Sequence, residues 1–353
     1  MKQRVIIIAL MILMLIPALS YGVSEAGLVY LLMEPGSRSG GMGQAYVAQV
    51  DDAFAGYWNT GAMAFSRNTQ FALMHTNWLG DIFPDIYYEY LGFNTYVEGT
   101  GTIGFNVLFL TYGEQDAYDE NQVFNGTFSS WEMAPTVTYG YQLSKNLGIG
   151  GAFKFIHSDL APKKVTADDM KGQGSTFAFD FGLNVRDIPV LPETILPQSR
   201  LNLGLNIQNM GPNIVYINEE QSDPLPLNWR MGLSWQVWNT DISRLTMNAD
   251  MNKLLANRKH HWYERVFRDW VDQSLDEEWD EIIWGAGGEF SYLNLLSLRL
   301  GYIYDREGEI EGISYGAGVF YEQDGFRVDI DFAMQPGGDL QDFNRTFSLK
   351  VSF

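Results

Sequence analysis

The sequence predicts an all-β protein, a transmembrane antiparallel β-barrel of about fourteen strands. Three observations carry that expectation. Segment after segment alternates apolar and polar residues with period two, the strand signature. After an N-terminal leader, no apolar stretch is long enough to span as a helix, so residence in a membrane requires a closed barrel. The connections alternate between short turns and long or acidic loops, as in outer-membrane barrels.

Composition narrows the function classes. The chain has 353 residues, 43 acidic against 23 basic, and a formal charge of −20. Phosphate contacts need basic groups, so a nucleic-acid partner is disfavoured. There is no cysteine, which excludes disulfides, thiolate zinc sites and cysteine nucleophiles. The 36 glycines exceed the usual share of about 7%. Together with abundant Tyr, Phe and Trp they point to many strands and tight turns.

The elements follow in order. Residues 1–22 read as a secretory signal peptide: Lys2 and Arg4, an apolar run from Val5 to Leu19, then Pro17, Ala18 and Ser20 near the cut. Residues 23–67 form a separate N-terminal segment, and 68–353 the barrel. Strands are expected near 68–77, 86–97, 101–112, 128–142, 146–157, 173–186, 200–209, 227–238, 243–253, 281–291, 294–305, 311–322, 325–335 and 343–353. In the last of these Phe347, Leu349, Val351 and Phe353 oppose Thr346, Ser348, Lys350 and Ser352. Earlier, Trp229, Met231, Leu233 and Trp235 oppose Arg230, Gly232, Ser234 and Gln236. A soluble sandwich also alternates. Here the polar face is rich in Gly, Asn, Ser and charges, as expected for a wet lumen, and aromatics such as Trp229, Trp235, Tyr302 and Tyr321 recur near strand ends like a girdle. The turns at 98–100, 143–145, 239–242, 292–293 and 323–324 are short, whereas 187–199 is long and Pro-rich on the short side.

Residues 36–65 carry a family resemblance. They contain Arg38, Gly41-Met42-Gly43, Ala45-Tyr46-Val47-Ala48, Asp51-Asp52-Ala53 and Tyr57-Trp58-Asn59. This order is similar to the opening of the PorV/PorQ family within the FadL-like outer-membrane proteins. Thr60 and Gly61-Ala62 depart from that family's Pro and Ala-Gly. Further matches are Gln208-Asn209-Met210-Gly211-Pro212, Asp223-Pro224-Leu225-Pro226, Arg230-Met231-Gly232 and Met251-Asn252-Lys253-Leu254-Leu255. The resemblance implies a fourteen-stranded, FadL-like barrel with an N-terminal plug in or beneath the lumen. It also implies a role in type IX secretion, with a translocon, cargo C-terminal signal domains and a sortase complex as partners, besides outer-membrane lipids. It implies neither catalysis nor a cofactor.

The candidate sites follow from that reading. Arg38, Met42, Asp51, Asp52, Trp58 and Asn59 are assigned to the plug, and Arg230, Arg299 and Arg327 to the lumen wall. Asp51-Asp52 is expected to open a short helix ending near Ala64, with one of those arginines as an alternative partner. Gly40-Gly41-Met42-Gly43 lacks the spacing of a phosphate loop and reads as close packing. His157, Ser158 and Asp159 are strand neighbours on opposite faces and cannot converge as a triad. His260-His261 reads as a solvated loop rather than a metal site. In 254–280, Trp262, Val266, Phe267, Trp270 and Leu275 fall on one helical side. They give either a helix folded over the rim or a docking face in which Trp262, Phe267 and Trp270 anchor a partner. Trp78, Leu79, Ile82 and Phe83 give the 77–84 loop an apolar tip suited to a partner or the membrane edge. The reading is a secretion component that binds protein through outer loops. The alternatives are a channel for hydrophobic small molecules, which needs an apolar pocket between plug and wall, and a structural surface protein.

Overall fold

The computed structural model describes residues 26–118, 121–161, 172–196, 198–216, 222–338 and 341–353. The expected signal peptide lies outside the described residues. Fourteen strands form one closed antiparallel barrel in which each pairs with its sequence neighbours, and the first pairs with the last. They are β1 (Gln70–Asn77), β2 (Tyr87–Val97), β3 (Gly101–Tyr118), β4 (Phe124–Gln142), β5 (Leu147–Ala161), β6 (Gly172–Pro189) and β7 (Arg200–Met210). There follow β8 (Leu227–Asn239), β9 (Ser243–Leu255), β10 (Ile282–Tyr292), β11 (Leu296–Asp305), β12 (Ile310–Gln323), β13 (Phe326–Pro336) and β14 (Phe343–Ser352).

Burial runs opposite to that of a soluble sandwich. On β14 the apolar Phe347 and Leu349 are 55% and 39% exposed, while Thr346 and Ser348 between them are 2% and 4% exposed. Such a wall is stable only with lipid outside. β3 and β4 run further outward than the alternation predicted, because the hairpin continues past a bulge between Thr111 and Glu114. Gly113 takes φ +71° there, which relieves the extra residue.

The N-terminal segment fills the lumen. Its outer end is fixed where the Gly27 amide donates to the Pro224 carbonyl at 3.0 Å. It descends through a 3-10 turn (Val29–Leu32), α1 (Ser37–Gly40), α2 (Ala55–Trp58) and a second 3-10 turn (Thr60–Phe65) to the periplasmic start of β1. Tyr30, Met42, Tyr46, Phe54, Tyr57, Trp58 and Met63 pack with Met74, Tyr88, Tyr90, Leu108 and Ile156 of the wall into a buried apolar core.

This core corrects the wet-lumen expectation. The glycines of the inner face make grooves for plug backbone instead of lining water. A Cβ on Gly287 or Gly301 would collide with the main chain of Met42 and Gly43, and one on Gly150 or Gly182 with Thr60 and Gly61. Gly43 itself adopts φ +64° against the Tyr302 carbonyl, a conformation and a clearance that only glycine supplies.

Candidate functional site: plug, lumen wall and outer mouth

The plug is tied to the wall by a chain of buried charges. Arg38 on α1 grips Glu289 of β10 in two parallel bonds, Nε to Oε2 and Nη2 to Oε1, both 2.8 Å. Its Nη1 donates to Asp51 at 2.6 Å and to the Tyr46 hydroxyl at 3.1 Å. Glu289 also accepts from Arg299 at 2.8 Å, and Arg299 donates to Asp331 at 2.7 Å. Lys350 bridges Asp331 at 3.3 Å and Asp52 at 3.1 Å. Tyr46 closes the circuit by donating to Asp52 at 3.0 Å. Every charge in this circuit has an opposite neighbour, as burial requires; Asp51 alone is substantially exposed, its side chain 45% open to a polar cavity that Arg38, Glu289, Arg299 and Lys350 also line. Despite that exposure, desolvation by the surrounding plug and wall would raise the Asp51 carboxyl. Arg38, Arg244, Arg186 and Lys350 outweigh it and bring Asp51 down to about 2.

Higher in the lumen, Arg230 of β8 pairs with Glu34 of the plug, and its guanidinium lies 4.3 Å from the Trp58 ring centroid. Burial raises the Glu34 carboxyl to about 7 despite Arg230. Asp250 of β9 accepts the amides of Tyr46 and Val47 at 2.7 and 2.8 Å. Trp58 donates from its indole to the Pro35 carbonyl at 2.8 Å. Asn59 binds the carbonyls of Val47 and Leu183 at 2.9 and 3.1 Å, and accepts from the Gly61 amide.

Most of the sequence-derived plug and lumen residues therefore meet, but not in the expected pairs. Neither Asp51 nor Asp52 pairs with Arg230, Arg299 or Arg327; their partners are Arg38 and Lys350. Arg327 binds Asp329 and Glu322 and lines a polar periplasmic cavity of about 470 Å³. Asp52 does start a turn, accepting the Phe54 amide at 3.0 Å, ahead of α2 and the second 3-10 turn. Glu34, Asp250, Glu289 and Lys350 went unrecognised as partners, although each occupies the plug or a lumenal strand position.

At the outer mouth a second cavity, of about 400 Å³, lies between the plug and the wall. Val29, Leu32 and Met33 of the plug line it together with Trp78, Leu79, Ile86, Leu254 and Ile303. The lumen thus does contain an apolar pocket beside the plug, where the alternation alone argued for polar surface. Trp78 and Leu79 are half-buried in it, whereas Ile82 and Phe83 at the loop tip are exposed.

Residues 256–281 do not form one amphipathic helix. They fold as α3 (Trp262–Arg268), where Glu264 reaches back to the His261 amide at 3.4 Å, and α4 (Leu275–Asp280), opened by a capping box of Ser274 and Glu277. Trp270 packs edge-on against Trp229 of the wall, ring centroids 5.0 Å apart. Trp262 is half-buried and Phe267 is 79% exposed, so the expected anchors face different ways. His260, Asp269 and Asp272 come within reach of one another, but His260 and Asp269 already bond at 2.6 Å and the Asn257 side chain binds Asp272.

A closed barrel with lipid-facing apolar strands and a built-in plug defines an outer-membrane protein of the FadL-like class. The P. putida toluene transporter TodX shares this fold, with a TM-score of 0.50 at 10% identity over 90% of this chain and 96% of that one. The deltaS2 mutant of the TodX monoaromatic hydrocarbon channel gives 0.52 at 10% identity over 91% and 97%. Sequence comparison finds no significant match among curated proteins. The family match is to PorV, described as type IX secretion system protein PorV, over residues 21–260, and the chain belongs to that family. PorV and FadL-like barrels are not enzymes.

Proposed function

We propose that this barrel serves type IX secretion as a docking protein whose outer mouth receives a translocon segment or a cargo C-terminal signal domain. The observation that supports this reading is the filled lumen. With the plug held by the Arg38–Glu289–Arg299–Asp331 circuit, exchange of material through the barrel gives way to contacts at its ends. At the outer end the Ile82–Phe83 tip, about half exposed, stands beside the apolar cavity. Aromatic and aliphatic anchors next to a pocket are the usual form of an interface hot spot.

The test is the double substitution Ile82→Ser/Phe83→Ser in the native host. Proteins bearing C-terminal signal domains should leave the surface and accumulate in the periplasm, at unchanged barrel levels in the outer membrane. If their distribution is unchanged even in a deletion strain, the secretion reading falls.

The same cavity favours a second reading, a binding site for a hydrophobic small molecule. Leu254→Arg would close it. Loss of hydrophobic-compound uptake with secretion intact would select this alternative.

A further inference from the structure

Lys253 faces the wrong way for a lumenal cation. On β9 the inward residues are Thr246, Asn248 and Asp250, all buried, and the outward ones include Met247, which is 50% exposed to lipid. Lys253 shares the outward parity, and so does its β8 partner Trp229. Yet Lys253 is fully buried, paired with Glu278 and with Glu281 at 2.8 Å. Its ammonium lies 5.4 Å from the Trp270 ring. Residues 256–281 are therefore folded down over the outside of the barrel, where they cover the lipid-facing side of β8 to β10.

The height of this module follows from β10. Trp284 lies eight residues above Tyr292, at the periplasmic end of the strand. At about 3.3 Å per residue and a tilt of about 40°, that is a rise of roughly 20 Å, within a lipid band of roughly 25 Å. Trp279 of α4 touches Trp284, ring centroids 5.5 Å apart. Successive helix residues turn by about 100°. With Glu278 and Glu281 toward the wall, Leu275 and Trp279 share the flank that meets Trp284, and Glu277 lies on the opposite flank. Leu275 is 87% and Trp279 64% exposed, and so are Phe267 (79%) and Val271 (77%) on the same module.

We propose that residues 256–281 are a membrane shoulder, with Phe267, Val271, Leu275 and Trp279 inserted at the headgroup–acyl boundary of the outer leaflet. The occupant is lipid because this apolar face continues the lipid-facing wall without a break, through Trp279–Trp284 and Trp270–Trp229. Interfacial segments bury their apolar side in this way. Phe267 then meets lipid instead of a protein partner, and the proposal stands independently of the mouth reading.

The chain has no cysteine, so single-cysteine variants carry a spin label at one site. Phe267→Cys, Val271→Cys and Leu275→Cys would be labelled in the full protein in phospholipid vesicles, with Glu277→Cys as the reference on the opposite flank of α4. Collisional relaxation by oxygen should exceed that by a water-soluble nickel chelate at 267, 271 and 275, and the order should reverse at 277. Equal, water-like accessibility at all four positions in correctly folded barrel would overturn the proposal and leave the face to a protein partner.

Discussion

Removing the Glu289 carboxylate tests whether the charge circuit holds the plug. Its side chain is 1% exposed and takes three bonds of 2.8 Å, two from Arg38 and one from Arg299. Glu289→Ala leaves those two guanidinium groups buried side by side, with Asp51 and Asp331 as their remaining partners. Breaking a buried ion pair by deleting one partner costs about 3–5 kcal/mol. At about 1.4 kcal/mol per tenfold, plug docking should weaken roughly a hundred- to a few-thousand-fold. The strand ladder is untouched, so the barrel should survive. In planar bilayers the wild type should conduct little, while the variant should show frequent openings. Its unheated electrophoretic mobility should stay that of a folded barrel. Glu289→Gln, which keeps an acceptor, should fall between the two. If Glu289→Ala is as closed and as heat-resistant as the wild type, the circuit does not hold the plug and the apolar core alone does.

Three further outcomes are expected. Because burial raises Glu34 to about 7 in the folded protein from about 4.3 in an unfolded chain, the folded state holds the extra proton across that window. Its contribution is present at pH 4 and is lost as pH rises through 7, by roughly 4 kcal/mol at about 1.4 kcal/mol per pH unit; Glu34→Gln should flatten the melting temperature between pH 5 and 8. Gly301→Val sets a side chain against the main chain of Met42 and Gly43 and should cost about 1–3 kcal/mol or displace the plug, read as conductance. Lys253→Met leaves Glu278 and Glu281 without their cation; trypsin should then cut at Arg265 or Arg268 in intact barrel several-fold faster than in wild type.

The strands were legible because a membrane wall imposes the strictest pattern the chain carries: every second residue must be apolar. One pair of the charge circuit carried a local signal that the sequence reading passed over, naming Arg299 without its partner Glu289. The short turn around Asn294 places Glu289 and Arg299 at equal distances on either side, and they do face each other across β10 and β11. Arg38 was not legible as the partner of Glu289, because the two are joined only by the path of the plug and no local period links positions so far apart. The inner glycines were seen, but their purpose was misread. Polar and small residues face a wet lumen and a tightly filled one alike, and only the backbone of Met42, Gly43, Thr60 and Gly61 lying against them distinguishes the two. Lys253 was the opposite case. A lysine on the lipid parity of β9, beyond Met247 and Met251, already required a cover.

The two ends of this barrel follow from how its charges are distributed. Charges within the lumen are spent on each other, from Asp51 through Arg38, Glu289, Arg299 and Asp331 to Lys350 and Asp52. Such groups fix position and leave little free valence for a ligand. Apolar surface that water would penalise collects instead at the outer end, at the Ile82–Phe83 tip, in the cavity beneath it and on the shoulder. A transport pore would need the reverse, with a replaceable plug and a continuous lining. A plug fixed by paired charges, with apolar surface beyond the lipid-facing wall gathered at the outer rim, accords with the proposal that one patch sits in the membrane and the other meets a partner.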